Sequence, residues 1–216
     1  MEITYLAHAC FRIVTSKGLR ILTDPYQAGS FDGAMGYDPV TDEVDVVLKS
    51  HDHADHAYTE GLAGSPLILD GPGEKDGISF QTLSTFHDPE QGKLRGPNTV
   101  FRFEADGLSV VFLGDLGHEL DKGQLDRLKP VHVLLIPVGG LYTIDAYQAH
   151  NVANSLDSLI SIPMHFKTPK LGFDIAPVDD FLKLRSNVRK AGGSAINIDA
   201  STLPEKAETV LLDFSR

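Results

Sequence analysis

A single cysteine, Cys10, occurs in the 216 residues, so no intrachain disulfide can form and stability must come from packing and any bound metal. That usage fits a reducing cytoplasm. Within Ala9-Cys10-Phe11-Arg12-Ile13 the thiol is expected to be buried and inert. Cations are scarce: 19 lysines and arginines face 30 aspartates and glutamates, for a formal charge of -11 and a pI near 5.1. Nucleic-acid backbones and membrane surfaces, both polyanionic, are therefore excluded as expected partners. No apolar run approaches a bilayer span, and Met1-Glu2-Ile3-Thr4-Tyr5-Leu6 lacks the basic start of a signal peptide. The expectation is a cytoplasmic protein acting on a small molecule.

With 42% hydrophobic residues and 23% charged, the chain can bury a real core. No repeat, low-complexity tract or linker divides it, which predicts one domain over residues 1–216. Short apolar runs read as strands at Glu2 to Leu6, Phe11 to Val14, Leu19 to Thr23, Val44 to Lys49, Pro66 to Leu69, Gly77 to Thr85, Thr99 to Phe103, Ser109 to Leu113, His132 to Pro137, Ile160 to Pro163 and Thr209 to Phe214. Helices are expected at Tyr58 to Leu62, Lys122 to Leu128, Ile144 to Leu159 and Pro177 to Lys190. Between them, Asp24 to Asp42 and Pro89 to Pro97 read as functional loops that shape a substrate site.

The chemistry concentrates in His51-Asp52-His53-Ala54-Asp55-His56, directly after an apolar strand. Imidazoles and carboxylates are preferred ligands of Zn and similar divalent ions. A short loop fanning four of them out can serve two ions side by side, the starting point of a two-metal hydrolase. Three further ligand types sit just beyond predicted strands: His87, Asp115 in Gly114-Asp115-Leu116-Gly117, and His165. Ligands at strand ends are held rigidly while coordination positions stay open for water and substrate.

This arrangement resembles the metallo-β-lactamase superfamily over essentially the whole chain. The carriers are the HxHxDH motif at His51, His53, Asp55 and His56, followed in order by His87, Asp115 and His165. Leu6-Ala7-His8-Ala9, Leu22-Thr23-Asp24-Pro25, Ile136-Pro137-Val138-Gly139-Gly140 and Ile162-Pro163-Met164-His165 are similar to phrases of its small bacterial metal-dependent hydrolases, near the ascorbate-6-phosphate lactonase type. The resemblance implies an α+β fold, a four-layer αββα sandwich with two divalent metal ions at one edge. Zn is the first expectation, with Mn or Fe compatible.

Carried over by residue, the resemblance implies that His51, His53 and His87 hold one ion, that Asp55, His56 and His165 hold the other, and that Asp115 bridges them. Asp52 and Ala54 occupy variable positions. Asp24 is expected to orient a ligand histidine, or to serve only as a turn residue before Pro25. Asp55 and Asp115 double as catalytic residues, joined by His8 facing the pocket and by His118 as proton donor to a leaving group. His132 is expected to be a hydrogen-bonded strand residue, and His150 an exposed helical one. Lys93, Arg95 and Lys167 are candidate binders of a substrate carboxylate or phosphate.

The expected activity is hydrolysis of a small ester, lactone or phosphoester. Alternatives on the same scaffold are a di-iron redox protein, a nuclease or phosphodiesterase, and a metal-binding regulator. The redox pattern places glutamate where this chain has His53, and the nucleases normally add a domain or basic arm that is not visible here.

Overall fold

The computed structural model describes residues 1–216. Its strands are β1 (Glu2–Ala7), β2 (Cys10–Val14), β3 (Arg20–Thr23), β4 (Val46–Leu48), β5 (Leu67–Leu69), β6 (Gly73–Lys75), β7 (Ile78–Phe86), β8 (Pro97–Ala105), β9 (Leu108–Phe112), β10 (Val133–Pro137), β11 (Ile160–Met164), β12 (Val188–Lys190), β13 (Ala195–Asn197) and β14 (Glu208–Leu211). Three helices accompany them: α1 (Lys122–Leu128), α2 (Ala146–Ser155) and α3 (Asp179–Leu182). The strands form a six-stranded sheet in the order β13-β1-β2-β3-β4-β5 and an eight-stranded sheet in the order β12-β14-β11-β10-β9-β8-β7-β6.

Side-chain alternation drives the sandwich. In the first sheet, Ile3, Tyr5, Phe11, Ile13, Ile21, Val46 and Leu48 face the main core. Their neighbours Leu6, Cys10, Leu22 and Val47 face a second cluster, because successive strand residues point to opposite faces. The second sheet completes the main core with Phe101, Phe103, Val110 and Phe112. Its central parallel strands are buried throughout, every residue of β10 and β11 included, as expected of strands covered on both faces; the one polar side chain among them, Ser161, is paired with the Ser158 hydroxyl. α2 contributes Ala146, Ala149, Val152 and Ala153 to that core, a helical stripe. Asp121 and Asp145 cap α1 and α2, each accepting the N–H of a Gln three residues on in a reciprocal capping box.

The result is the α+β sandwich expected, with mixed sheets and few helices. On the outer face of the first sheet, loop side chains take the place of a helix: Tyr26, Met35, Tyr37, Val40, Leu171 and Ile175 cover Leu6, Leu22 and Val47. Two expected helices are corrected. Tyr58 to Leu62 is non-helical turn structure, with Tyr58 donating its N–H to the Pro25 carbonyl; Gly61 weakens any helix there. Pro177 to Lys190 is helical only over α3, because Val188, Arg189 and Lys190 pair in parallel with Thr209, Val210 and Leu211 of β14. No helix is long and apolar enough to cross a membrane.

Strand direction places the site. β1, β3 and β4 run alike, as do β7, β9 and β11. The C-terminal ends of β3, β4, β7, β9 and β11 feed directly into the segments carrying Asp24, His51, His87, Asp115 and His165.

Candidate metal centre

His8 sits in the tight turn joining β1 to β2, with φ +56°, and His165 follows β11 with φ +51°. Asp24 directly follows β3 with φ +32°. Left-handed backbone is unfavourable for residues with a Cβ, and such strain concentrates at functional sites. The His165 N–H donates to the His8 carbonyl at 2.8 Å, and the Thr99 N–H to the Ser50 carbonyl at 2.9 Å. These bonds tie the two sheets together at the edge where the ligand types converge.

Three groups result, within each of which the ligand atoms lie within 4.8 Å of one another; one of them, Asp24 with His51 and His56, overlaps the two main ones. Of these two, His51, His53 and His87 form one and His8, Asp55, His56 and His165 the other. Asp115 stands between them, its Oδ2 at 3.2 Å from the Nε2 atoms of His56, His87 and His165. Asn98 fixes it from behind: its amide oxygen accepts the Asp115 N–H, while its NH2 donates to Thr85 Oγ1 and the Leu113 carbonyl. Sequence reasoning missed Asn98 because Pro97-Asn98-Thr99 carries only a turn signal.

Hydrogen bonds on the far side of His56, His51 and His87 set the tautomers of these three rings. Asp24 takes the Nδ1–H of His56 at 2.8 Å, and the Ser50 hydroxyl proton at 2.5 Å. With that single proton committed, Ser50 Oγ accepts from His51 Nδ1 at 2.8 Å. His87 Nδ1 donates to the Tyr142 carbonyl at 2.9 Å. In all three rings Nε2 is the nitrogen left facing the centre, which is how ligand histidines are oriented. His8 instead directs Nε2 at Asp55 Oδ2, 3.1 Å away.

The electrostatics agree with ligand duty. Burial, then the His165 imidazole, pushes His8 down to about 4; burial, then His56, pushes His51 down to about 2. Both rings are neutral donors at neutral pH. Burial alone would raise Asp115, but His165 and His56 outweigh it and keep the group a carboxylate. Burial likewise opposes charge on His56, yet Asp115 and Asp55 raise it well above the usual imidazole value. A cation would displace that proton. The fit to metal rests on unmet polar atoms: His51 Nε2, His56 Nε2 and Asp115 Oδ1 are buried without a hydrogen-bond partner, and such atoms are costly unless something binds them.

A cavity of about 240 Å³ opens onto this centre, lined by His53, Asp55, His87, Asp115, His165, Arg95 and the rings of Phe31, Tyr142 and Phe173. Phe31 and Arg95 come from the two loops expected to shape the site; Tyr142 and Phe173 had no sequence signal beyond lying in loops. His118 is placed elsewhere. Its Nε2 accepts the Phe86 N–H, its Nδ1 donates to the Glu119 carbonyl, and it lines a separate depression with Gln91 and Gln124. The ring is thus committed to the backbone, away from the metal cavity. Lys167 donates to the Phe173 carbonyl, and Lys93 is exposed outside the cavity. Asp52 pairs with Lys49 at 2.6 Å. His132 Nδ1 accepts the Ser109 N–H. His150 is half-buried, not exposed, because Asn154 and Arg185 pack on its ring nitrogens.

The comparisons with known proteins agree with this geometry. The family model for a beta-lactamase superfamily domain matches residues 2–165. A UPF0173 metal-dependent hydrolase from Koribacter versatilis is 31% identical over 199 residues, covering 78% of this chain and 85% of that one. Another from Methanoculleus marisnigri is 27% identical over 236 residues, covering 96% and 99%. A crystal structure from Thermotoga maritima, described as a candidate Zn-dependent hydrolase of the metallo-β-lactamase superfamily, superposes with a TM-score of 0.81 at 34% identity, covering 99% of both chains. With its HxHxDH loop, its later histidines and Asp115 gathered at one edge of two packed sheets, the chain belongs to the metallo-β-lactamase superfamily of metal-dependent hydrolases.

Proposed function

We propose that this protein is a dinuclear hydrolase of a small ester, lactone or phosphoester, working in the cytoplasm on a small molecule without nucleic-acid or membrane partners. The observation that carries the reading is the position of Asp115, whose carboxylate reaches imidazoles of both ligand groups. One group alone would serve a mononuclear site; a shared carboxylate serves two.

His51, His53 and His87 would hold one ion, Asp55, His56 and His165 the other, and Asp115 both. Bound divalent ions supply an acidified water and polarise the carbonyl or phosphoryl oxygen of the substrate. The chain's own residues do the rest. Asp24, Ser50 and the Tyr142 carbonyl hold ligand imidazoles in the tautomer that presents Nε2. His8 keeps its Nε2–H on Asp55 Oδ2, fixing that carboxylate. Phe31, Tyr142 and Phe173 wall the cavity with apolar ring faces. The volume of about 240 Å³ lies below the ~300–1,000 Å³ of drug-sized pockets, which supports a compact substrate. A lactone is preferred among the three bond classes through the resemblance to lactonases.

The test is elemental analysis of the purified protein, with hydrolysis assays on lactones, carboxylic esters and phosphodiesters with and without added Zn or Mn. About two metals per chain with metal-dependent turnover of one bond class is expected. No bound metal, or two irons with oxygen reactivity and no hydrolysis, overturns the reading.

A further inference from the structure

Arg95 stands apart from every other arginine in the chain. Arg12, Arg20, Arg102, Arg189 and Arg216 reach carboxylates, Arg127 donates to the Thr82 carbonyl, and Arg185 to Asn154. The Arg95 guanidinium has no hydrogen bond and no acidic partner; its contact is the ring of Tyr142, 5.5 Å from the centroid. In a chain with formal charge -11, an unpaired and half-buried cation at the mouth of a metal cavity needs a reason. The nearby lysines differ: Lys49 pairs with Asp52, and Lys167 with a carbonyl.

The backbone of Arg95 is also fixed. Asp88 accepts the N–H groups of Glu90, Gly92, Leu94 and Arg95 at 2.8 to 3.0 Å, folding the loop around one carboxylate. Asp88 follows His87, so Arg95 is indexed to a residue of the metal centre through one carboxylate. Tyr142 adds a second link, since its carbonyl binds His87 and its ring lies under the guanidinium. A guanidinium held over an aromatic face without hydrogen bonds keeps its N–H groups free for bidentate contact with an oxyanion.

Beside it runs an aromatic arc. Phe173 meets Tyr142 edge-on at 5.8 Å and Phe31 edge-on at 5.3 Å. Cationic edge, apolar wall and metal centre share one small cavity.

We infer that the substrate carries, besides the scissile ester linkage, a separate carboxylate or phosphate bound by Arg95, joined by a short apolar segment lying on Phe31, Phe173 and Tyr142. The inference deepens the hydrolase reading and rests on it for the scissile bond, but the oxyanion site is separable by binding. A bound anion would complete the guanidinium and offset its repulsion from two nearby divalent ions.

The experiment uses metal-loaded protein and calorimetric titration with 3-phenylpropionate, 2-phenylethylphosphonate and the neutral 3-phenylpropanamide. Wild type is expected to prefer an anion over the amide, and Arg95→Ala to lose that preference by roughly tenfold to a hundredfold, the range for a charged hydrogen bond. Arg95→Lys should restore it in part, and Lys93→Ala, on the same loop but outside the cavity, should keep it. Metal content is measured on each variant. Preference for the carboxylate or for the phosphonate identifies the source of the oxyanion. Anion affinity in Arg95→Ala equal to that of wild type, which would place the anion on the metal ions alone, or equal binding of anions and amide by wild type, overturns the inference. Anion binding through Arg95 without turnover of any ester would instead sink the hydrolase reading and leave this site standing.

Discussion

Asp24 and His56 are joined by a 2.8 Å hydrogen bond with both side chains at zero exposure. The carboxylate also takes the N–H and hydroxyl of Ser50, so it is saturated by one face of the metal centre without entering it. The burial that raises its pKa is opposed by His56 and Ser50.

Asp24→Asn keeps the size of the side chain and tolerates its left-handed backbone but removes the charge that selects the His56 tautomer. Metal affinity should fall by about tenfold, the lower end for partners that orient ligands. Competition with a chromogenic chelator measures it, and undiminished affinity would leave Asp24 a turn residue.

His53→Ala and Asp115→Ala should differ in stoichiometry. His53 belongs to one ligand group, whereas Asp115 touches both. Elemental analysis is expected to find one ion retained in the first variant and neither held stably in the second, with hydrolysis abolished in both. Unchanged metal content in the two variants defeats the ligand assignment.

Chelator treatment should lower thermal stability. Ions that bind only the folded chain stabilise it by ~2.7 kcal/mol at a hundred times their Kd, which for a domain of this size is a Tm shift of about 5–10 °C. Differential scanning with and without chelator reads this directly. An unmoved Tm would mean that the unmet nitrogens of His51 and His56 are satisfied without metal.

Gly139→Ala and Gly117→Ala should each destabilise by about 1–3 kcal/mol, as overpacking does. A Cβ at Gly139 would collide with the His165 carbonyl, and one at Gly117 with the backbone of His87 and Asp88. Gly193→Ala, where a Cβ meets nothing within 4 Å, is the neutral control in urea denaturation. Equal midpoints for all three would show that these close approaches relax freely.

Candidate ligand residues were legible in the sequence because they are chemically unusual side chains gathered in one loop or placed just beyond an expected strand, as at His51, His87 and His165. The strands themselves were legible as short apolar runs, buried on both faces in β9, β10 and β11. What escaped was set by tertiary partners. β6, β12 and β13 are three-residue strands largely exposed to solvent, too short for a period. The mistaken helix over Pro177 to Lys190 contains Val188–Lys190, whose extended form exists because β14 is there to receive it. His118 lies close to Asp115 in sequence, but Gly117 turns the chain so that its N–H binds Phe86, sending the ring to another surface. Asn98, Tyr142 and Phe173 act through backbone groups and ring faces, which no residue pattern announces.

β1 takes β2 on one side and β13 on the other, with Glu2, Ile3 and Thr4 opposite Asn197, Ile196 and Ala195. β1 therefore leaves the ribosome long before β13, the strand that closes its outer edge. At ~5–20 residues per second, that interval is roughly 10–40 s. An open edge over that time is a template for pairing with other chains, which makes nascent-chain protection of residues 2–7 a practical concern whenever this protein is overproduced.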